Sequence, residues 1–145
     1  MEIKIKPIGF VKNDVKKQRF GNWNDVVSEI ILDKEYEDAL DGIEDYSHIN
    51  VVFWMNEVKT CKIKHQPQGI KEVPIVGIFA CRCQSRPNPI GITTVKLLER
   101  KNNTIKVKGL DVIDNTPIID IKPYTPKYDN VKDVKTPEWI NKLKY

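Results

Sequence analysis

Thr93-Thr94-Val95-Lys96-Leu97-Leu98-Glu99, the break Lys101-Asn102-Asn103, and then Thr104-Ile105-Lys106-Val107-Lys108-Gly109-Leu110-Asp111-Val112 decide the fold. Two runs rich in β-branched residues, separated by a short Asn-Asn turn, predict a β-hairpin, and a hairpin makes its strands antiparallel. Working outward, residues 118–121 continue the pattern as another strand. Upstream, Ile49, Val51, Val52, Phe53, Trp54 and Met55 make residues 48–56 almost continuously apolar, which predicts a strand buried on both faces. Residues 75–81 read as another buried strand, residues 28–32 as a short one, and residues 3–11 as a strand interrupted at Pro7.

Two short helices complete the pattern. One covers residues 34–40, with Asp33 as N-cap, Glu35 and Glu37 in its first turn and Gly42 after its end. The other begins at Thr136-Pro137-Glu138 near the C-terminus, with Trp139, Ile140 and Leu143 as its apolar stripe. Six or seven strands with mostly antiparallel connections predict a mainly β, single-domain antiparallel β-barrel or strongly curved sheet over residues 1–145. No Gly-x-Gly-x-x-Gly follows a strand, so a Rossmann fold is excluded and any cofactor must sit on loops.

Composition narrows the class. A chain of 145 residues, 40% hydrophobic and 30% charged, is long enough for one real core and fits a globular protein. No apolar run approaches the ~20 residues of a spanning helix, and the opening Met1-Glu2-Ile3-Lys4-Ile5-Lys6 lacks the continuous apolar stretch of a signal peptide. The expectation is a cytoplasmic protein with no membrane association. Cys61, Cys81 and Cys83 are odd in number, and on a strand Cys81 and Cys83 would point to opposite faces, so reduced thiols are expected. With His48 and His65 far off, the cysteines match no common zinc arrangement, and no metal is expected. Net charge is only +4, which by itself identifies no partner.

Three constellations could carry chemistry. Of the four arginines, Arg82 and Arg86 fall in Arg82-Cys83-Gln84-Ser85-Arg86-Pro87-Asn88-Pro89-Ile90-Gly91, where two prolines stiffen the loop before any ligand arrives. Asp111, Asp114 and Asp120 cluster among apolar neighbours in residues 110–124, and buried carboxylates need partners, for which Arg82, Arg86 and Lys122 are candidates. Tyr46-Ser47-His48 places a histidine at the mouth of an apolar strand. Residues 61–74, rich in Lys, Gln and Pro, read as a long mobile surface connection, and with the Lys16-Lys17-Gln18-Arg19 cluster they could meet a nucleic-acid backbone.

Tyr46-Ser47-His48-Ile49, Arg86-Pro87-Asn88-Pro89-Ile90-Gly91 and Asp120-Ile121-Lys122-Pro123-Tyr124, together with Leu110-Asp111 and Thr116-Pro117, resemble the signatures of the TsaA-like (TrmO-type) family. The resemblance runs over residues 8–124 and implies a β-barrel methyltransferase that uses S-adenosylmethionine. Its implied substrate is the N6-threonylcarbamoyladenosine beside the anticodon of tRNA, and its implied working unit a homodimer. A non-catalytic S-adenosylmethionine-binding module, or a methyltransferase of another substrate, are the alternatives. By similarity, cofactor contacts fall on Asn56, Glu57, Arg82, Gln84, Thr94, Leu110, Asp111, Val112 and Ile113, with Asn22, Trp23 and Asn24 on a further loop. Arg86 and Asp120 are expected to meet at one site and to act chemically. Asn115 and Cys83 stand where the family usually has Gly and Ser. Longer relatives carry a C-terminal domain thought to help hold tRNA, and no such additional domain is expected in this chain.

Overall fold

A computed structural model describes residues 1–145. Its strands are β1 (Gly9–Lys12), β2 (Val27–Leu32), β3 (His48–Trp54), β4 (Lys64–His65), β5 (Val76–Gly77), β6 (Ile90–Lys101), β7 (Thr104–Lys108) and β8 (Pro117–Pro123). Six of them close into a barrel in the order β1-β2-β7-β6-β3-β8, with β8 returning to β1, and every pair is antiparallel. The β6–β7 hairpin forms at the predicted turn, where Lys101 pairs with Thr104 and Asn102 takes the left-handed conformation (φ 56°) that asparagine tolerates. But β6 starts already at Ile90 and β7 ends at Lys108 rather than at Val112, so residues 109–113 are not strand.

Alternation along the strands builds the interior. Val11, Ile30, Leu32, Ile49, Val51, Phe53, Val95, Ile105, Val107 and Ile118 point inward and form one core with Leu40, Leu110 and Val112. β3 is therefore not buried equally on both faces, since a barrel strand has a single inward face and the alternate residues Val52 and Trp54 are only half-buried. Closure depends on Gly9: a Cβ there would press on the carbonyl oxygen of Ile31 and lie 2.8 Å from Leu32 Cα, both backbone atoms of β2 that cannot rotate away.

Elsewhere the structure corrects the sequence. The first strand starts only at Gly9. The helix at Lys34–Leu40 forms within the expected limits but as a 3-10 helix, and Asp33 makes no side-chain cap bond. The C-terminal one is also 3-10, over Glu138–Lys142, and an unexpected α-helical turn, α1 (Pro126–Asp129), follows β8. Residues 75–81 are not a buried strand: β5 is two residues long, a 3-10 turn occupies Ile78–Ala80, and Ile75 and Phe79 are exposed. Strand alternation therefore does not separate Cys81 from Cys83, and the structure joins them as a disulfide, with Cys61 free. The 61–74 connection is not loose along its length. β4 pairs with β5, Val73 and Pro67 are buried, and the Gln66 amide donates to the Val73 carbonyl at 2.9 Å.

The loop after β1 is held from inside. Asn13 is buried, donates through Nδ2 to Ser28 Oγ (3.0 Å) and to the Val112 carbonyl (2.9 Å), and accepts the Val15 amide (3.0 Å). Asp114 accepts the Asn13 amide (3.0 Å) and the Lys16 ammonium (2.6 Å), and its own amide donates to the Val15 carbonyl (2.8 Å). The Lys16 hydrogen bond, then the Asn13 amide, hold the Asp114 carboxyl below its ordinary pKa. A carboxyl that is more acidic in the folded chain stabilises it above the unfolded pKa of about 3.9 and loses that contribution as pH falls through the lower folded value. Asp114→Asn should therefore cost stability at neutral pH and progressively less as the pH falls far enough to protonate the wild-type carboxyl. Equal melting-temperature losses at neutral and acid pH would contradict this.

Candidate functional site

The expected cofactor residues gather around one end of β6. The Met55 amide donates to the Pro89 carbonyl (2.8 Å), which sets the Asn56-Glu57 turn against the rigid proline loop leading into β6. Gly91, opposite Phe53 in the β3–β6 register, has no side chain because the Phe53 ring occupies that space. Arg82 donates to the Ile92 carbonyl, the Thr93 hydroxyl donates to Asp111, and Thr94 faces outward beside Asn50. Gln84 donates to Gln18 at 2.9 Å, joining the proline loop to the 13–22 loop. Asn56, Glu57, Arg82, Thr94 and Asp111 are exposed and Gln84 is half-exposed.

Leu110, Val112 and Ile113 are 0%, 2% and 4% exposed as whole residues, so their side chains belong to the core and their backbone is almost wholly covered. No hydrogen bond within the chain takes up the amides of residues 110–113. Unpaired buried amides are rare and each costs about 1–3 kcal/mol. The run of four lies beside the Val112 carbonyl that Asn13 holds, and of the four residues only Asp111 is exposed. Asn115 takes φ 63°, which accounts for its standing in place of glycine in the turn that follows.

Arg86 and Asp120 do not meet. The Arg86 guanidinium donates to the carbonyls of Cys81 (2.8 Å) and Cys83 (3.1 Å) and lies over the Phe79 ring, so it ties its own loop together. Asp120 sits on β8 opposite Val52, accepts the Ile121 amide, and pairs with Lys122 at 2.8 Å, raising the pKa of that ammonium. Of the expected partners only Lys122 reaches a carboxylate of this cluster. His48 pairs with Lys96 further along β6, with its Nδ1 2.8 Å from Ser47 Oγ and its ring edge-on to Tyr124. Two charges of the 16–19 cluster are in use: Lys16 on Asp114, and Arg19 on the Asn22 carbonyl and the face of the buried Trp23. A polar hollow of about 280 Å³, lined by residues that include Glu29, Glu99, Lys101 and Lys106, lies at the β6–β7 turn and contains none of the candidate residues.

Sequence reasoning missed Asn13, which shapes the 110–113 segment, and Asn50, which holds Thr94. Asn13 reads as the start of a polar loop, and only its long-range partners Ser28 and Val112 show otherwise. The Asn50 side chain is hidden inside an apolar run, where the period-2 alternation was the one available signal.

The model of the tRNA-methyltransferase O N-terminal domain matches residues 12–130. An S-adenosyl-L-methionine-binding protein of Archaeoglobus fulgidus is 43% identical over 135 residues, covering 90% of this chain and 96% of the relative. A human tRNA (adenine(37)-N6)-methyltransferase is 39% identical over 103 residues, covering 70% of this chain but 23% of the human protein. Among solved structures, TrmO from Pseudomonas aeruginosa superposes with a TM-score of 0.78 at 26% identity over 95% of this chain. This chain spans 62% of that structure's length. The barrel, the signature loops and these matches agree, and the chain belongs to the TrmO N-terminal domain family.

Proposed function

We propose that this chain binds S-adenosylmethionine at the Ile90–Thr94 end of β6 and transfers its methyl group to the N6 of N6-threonylcarbamoyladenosine beside the anticodon of tRNA, in the cytoplasm. The observation that carries the reading is the run of unpaired amides at residues 110–113, framed by Asn56, Glu57, Arg82, Gln84, Thr94 and Asp111. Backbone donors fit the ring nitrogens of an adenine, and the exposed Glu57 and Asp111 carboxylates fit a sulfonium cation. The name of the archaeal relative supports the ligand, and that of the human relative supports methyl transfer to the N6 of adenine 37 in tRNA.

When bound, S-adenosylmethionine would supply an electrophilic methyl carbon to the acceptor nitrogen, with the C–S electron pair leaving on sulfur and the N–H proton passing to solvent. The protein's part is to hold donor and acceptor in line, and orientation can supply much of the rate enhancement. In this reading Arg86 acts by keeping Arg82 and Gln84 in place, while Asp120 and Lys122 charge the adjoining β8 face. Exposed Ile63, Ile75, Phe79 and Ile92 supply apolar surface for a homodimer. Sedimentation of the ligand-bound chain at a monomer's mass would remove that part.

Calorimetric titration with S-adenosylmethionine should give saturable binding. Because Arg86 bonds only within its own loop, Arg86→Ala should melt near wild type yet bind about tenfold or more weakly, since the loop must then be ordered on binding. No binding at millimolar ligand would overturn the proposal. A second reading, a binding module without turnover, is favoured by the Archaeoglobus relative, which is known as an S-adenosyl-L-methionine-binding protein. Mass spectrometry of tRNA carrying the threonylcarbamoyl group separates the two: an added methyl is expected, and bound cofactor with no methyl transferred would leave the module. For tRNA contact, the exposed Lys62, Lys64 and Lys71 are the available charges. Replacing all three with Ala should lower the salt slope of tRNA binding by about two to three, and an unchanged slope would take this loop out of the interface.

A further inference from the structure

Asn50 is 6% exposed although Ile49 and Val51 on either side of it fill the barrel core, so its side chain points to the outer face of β3. α1 covers it there. Asp129 accepts the Asn50 Nδ2 hydrogen at 3.0 Å through one carboxylate oxygen and the Thr125 amide at 2.8 Å through the other. A carboxylate only accepts, so Asn50 must present its NH2 group to Asp129 and its carbonyl oxygen to the opposite side. On that side the Thr94 hydroxyl lies 2.6 Å from Asn50 Oδ1. The carbonyl cannot donate, so the single hydroxyl hydrogen of Thr94 is committed to Asn50. What remains on exposed Thr94 is a pair of acceptor positions and no donor.

We propose that Asp129 and Asn50 are positioning residues that fix the polarity of the Thr94 hydroxyl, and that Thr94 accepts a hydrogen bond from an N–H or O–H group of the bound cofactor. The inference rests on the S-adenosylmethionine site proposed above. That ligand carries suitable donors in its ammonium group and on its nucleoside. A hydroxyl whose hydrogen is already engaged favours such a donor and disfavours a ligand oxygen that can only accept, so the relay sets selectivity as well as affinity.

The test is calorimetry on the full chain with S-adenosylmethionine and with 5′-methylthioadenosine, which keeps the ribose and adenine but lacks the ammonium. Thr94→Val should weaken S-adenosylmethionine binding about tenfold, and Thr94→Ser should stay within about threefold of wild type. If the Thr94→Val loss appears with S-adenosylmethionine alone, the donor is the ammonium. If it appears with both ligands, the donor is on the nucleoside, and either result supports the proposal. Asn50→Leu should lose affinity similarly, and adding Thr94→Val to it should cost little more, a coupling that a change in melting temperature alone would not produce. Fully additive losses would overturn the positioning role. If wild type binds and Thr94→Val binds equally well, this inference fails and the cofactor site stands; if wild type does not bind at all, both fail.

Discussion

A four-residue strand closes this barrel. β1 must pair with β2 on one side and β8 on the other, and it can approach β2 only because position 9 carries no Cβ. The chain leaves β1 directly into Asn13, whose side chain is spent on Ser28 of β2 and on the carbonyl of Val112, 99 residues away. The same closure that completes the hydrogen-bond ladder therefore sets the path of residues 110–116. Further bonds from Asn115 to Val11 and from Asp114 to Val15 repeat the attachment. A local loss at β1 would be felt in the segment whose amides remain unpaired.

That dependence gives the candidate site its character. Its parts are short and come from four places in the chain, and they are fixed by individual hydrogen bonds to backbone and side chains rather than by a cavity wall. The Pro89 carbonyl holds the end of β3, Arg86 ties the proline loop to itself, and Arg82 fastens the loop to β6. Prolines at 87 and 89 reduce the ordering that such a loop would otherwise undergo on meeting a ligand.

Much of this was legible from the residues, and the misreadings have physical causes. The hairpin follows from its β-branched runs and Asn-Asn turn, and β2, β3 and β8 from short apolar runs, although the continuous run of β3 wrongly implied burial on both faces. Residues 75–81 look equally strand-like because an apolar run reports burial without naming the surface it meets, and here Ile75 and Phe79 leave the barrel altogether. That error carried the cysteine reading with it, since alternation applies only within a strand. Arginine scarcity led to a carboxylate partner for Arg86, whereas the guanidinium's several donors suit two backbone carbonyls of a tight loop just as well. Asn13 and Asn50 could not be found locally, because their importance lies in partners far off in sequence.

The central claim is that the amides of residues 110–113 are kept free for a ligand. Backbone amide resonances followed during titration with S-adenosylmethionine test it most directly. The account predicts that the amides of Leu110, Asp111, Val112 and Ile113 shift and exchange more slowly with solvent as the site fills, with smaller changes near Thr94 and Gln84. Saturable binding that leaves those four amides unmoved would contradict it.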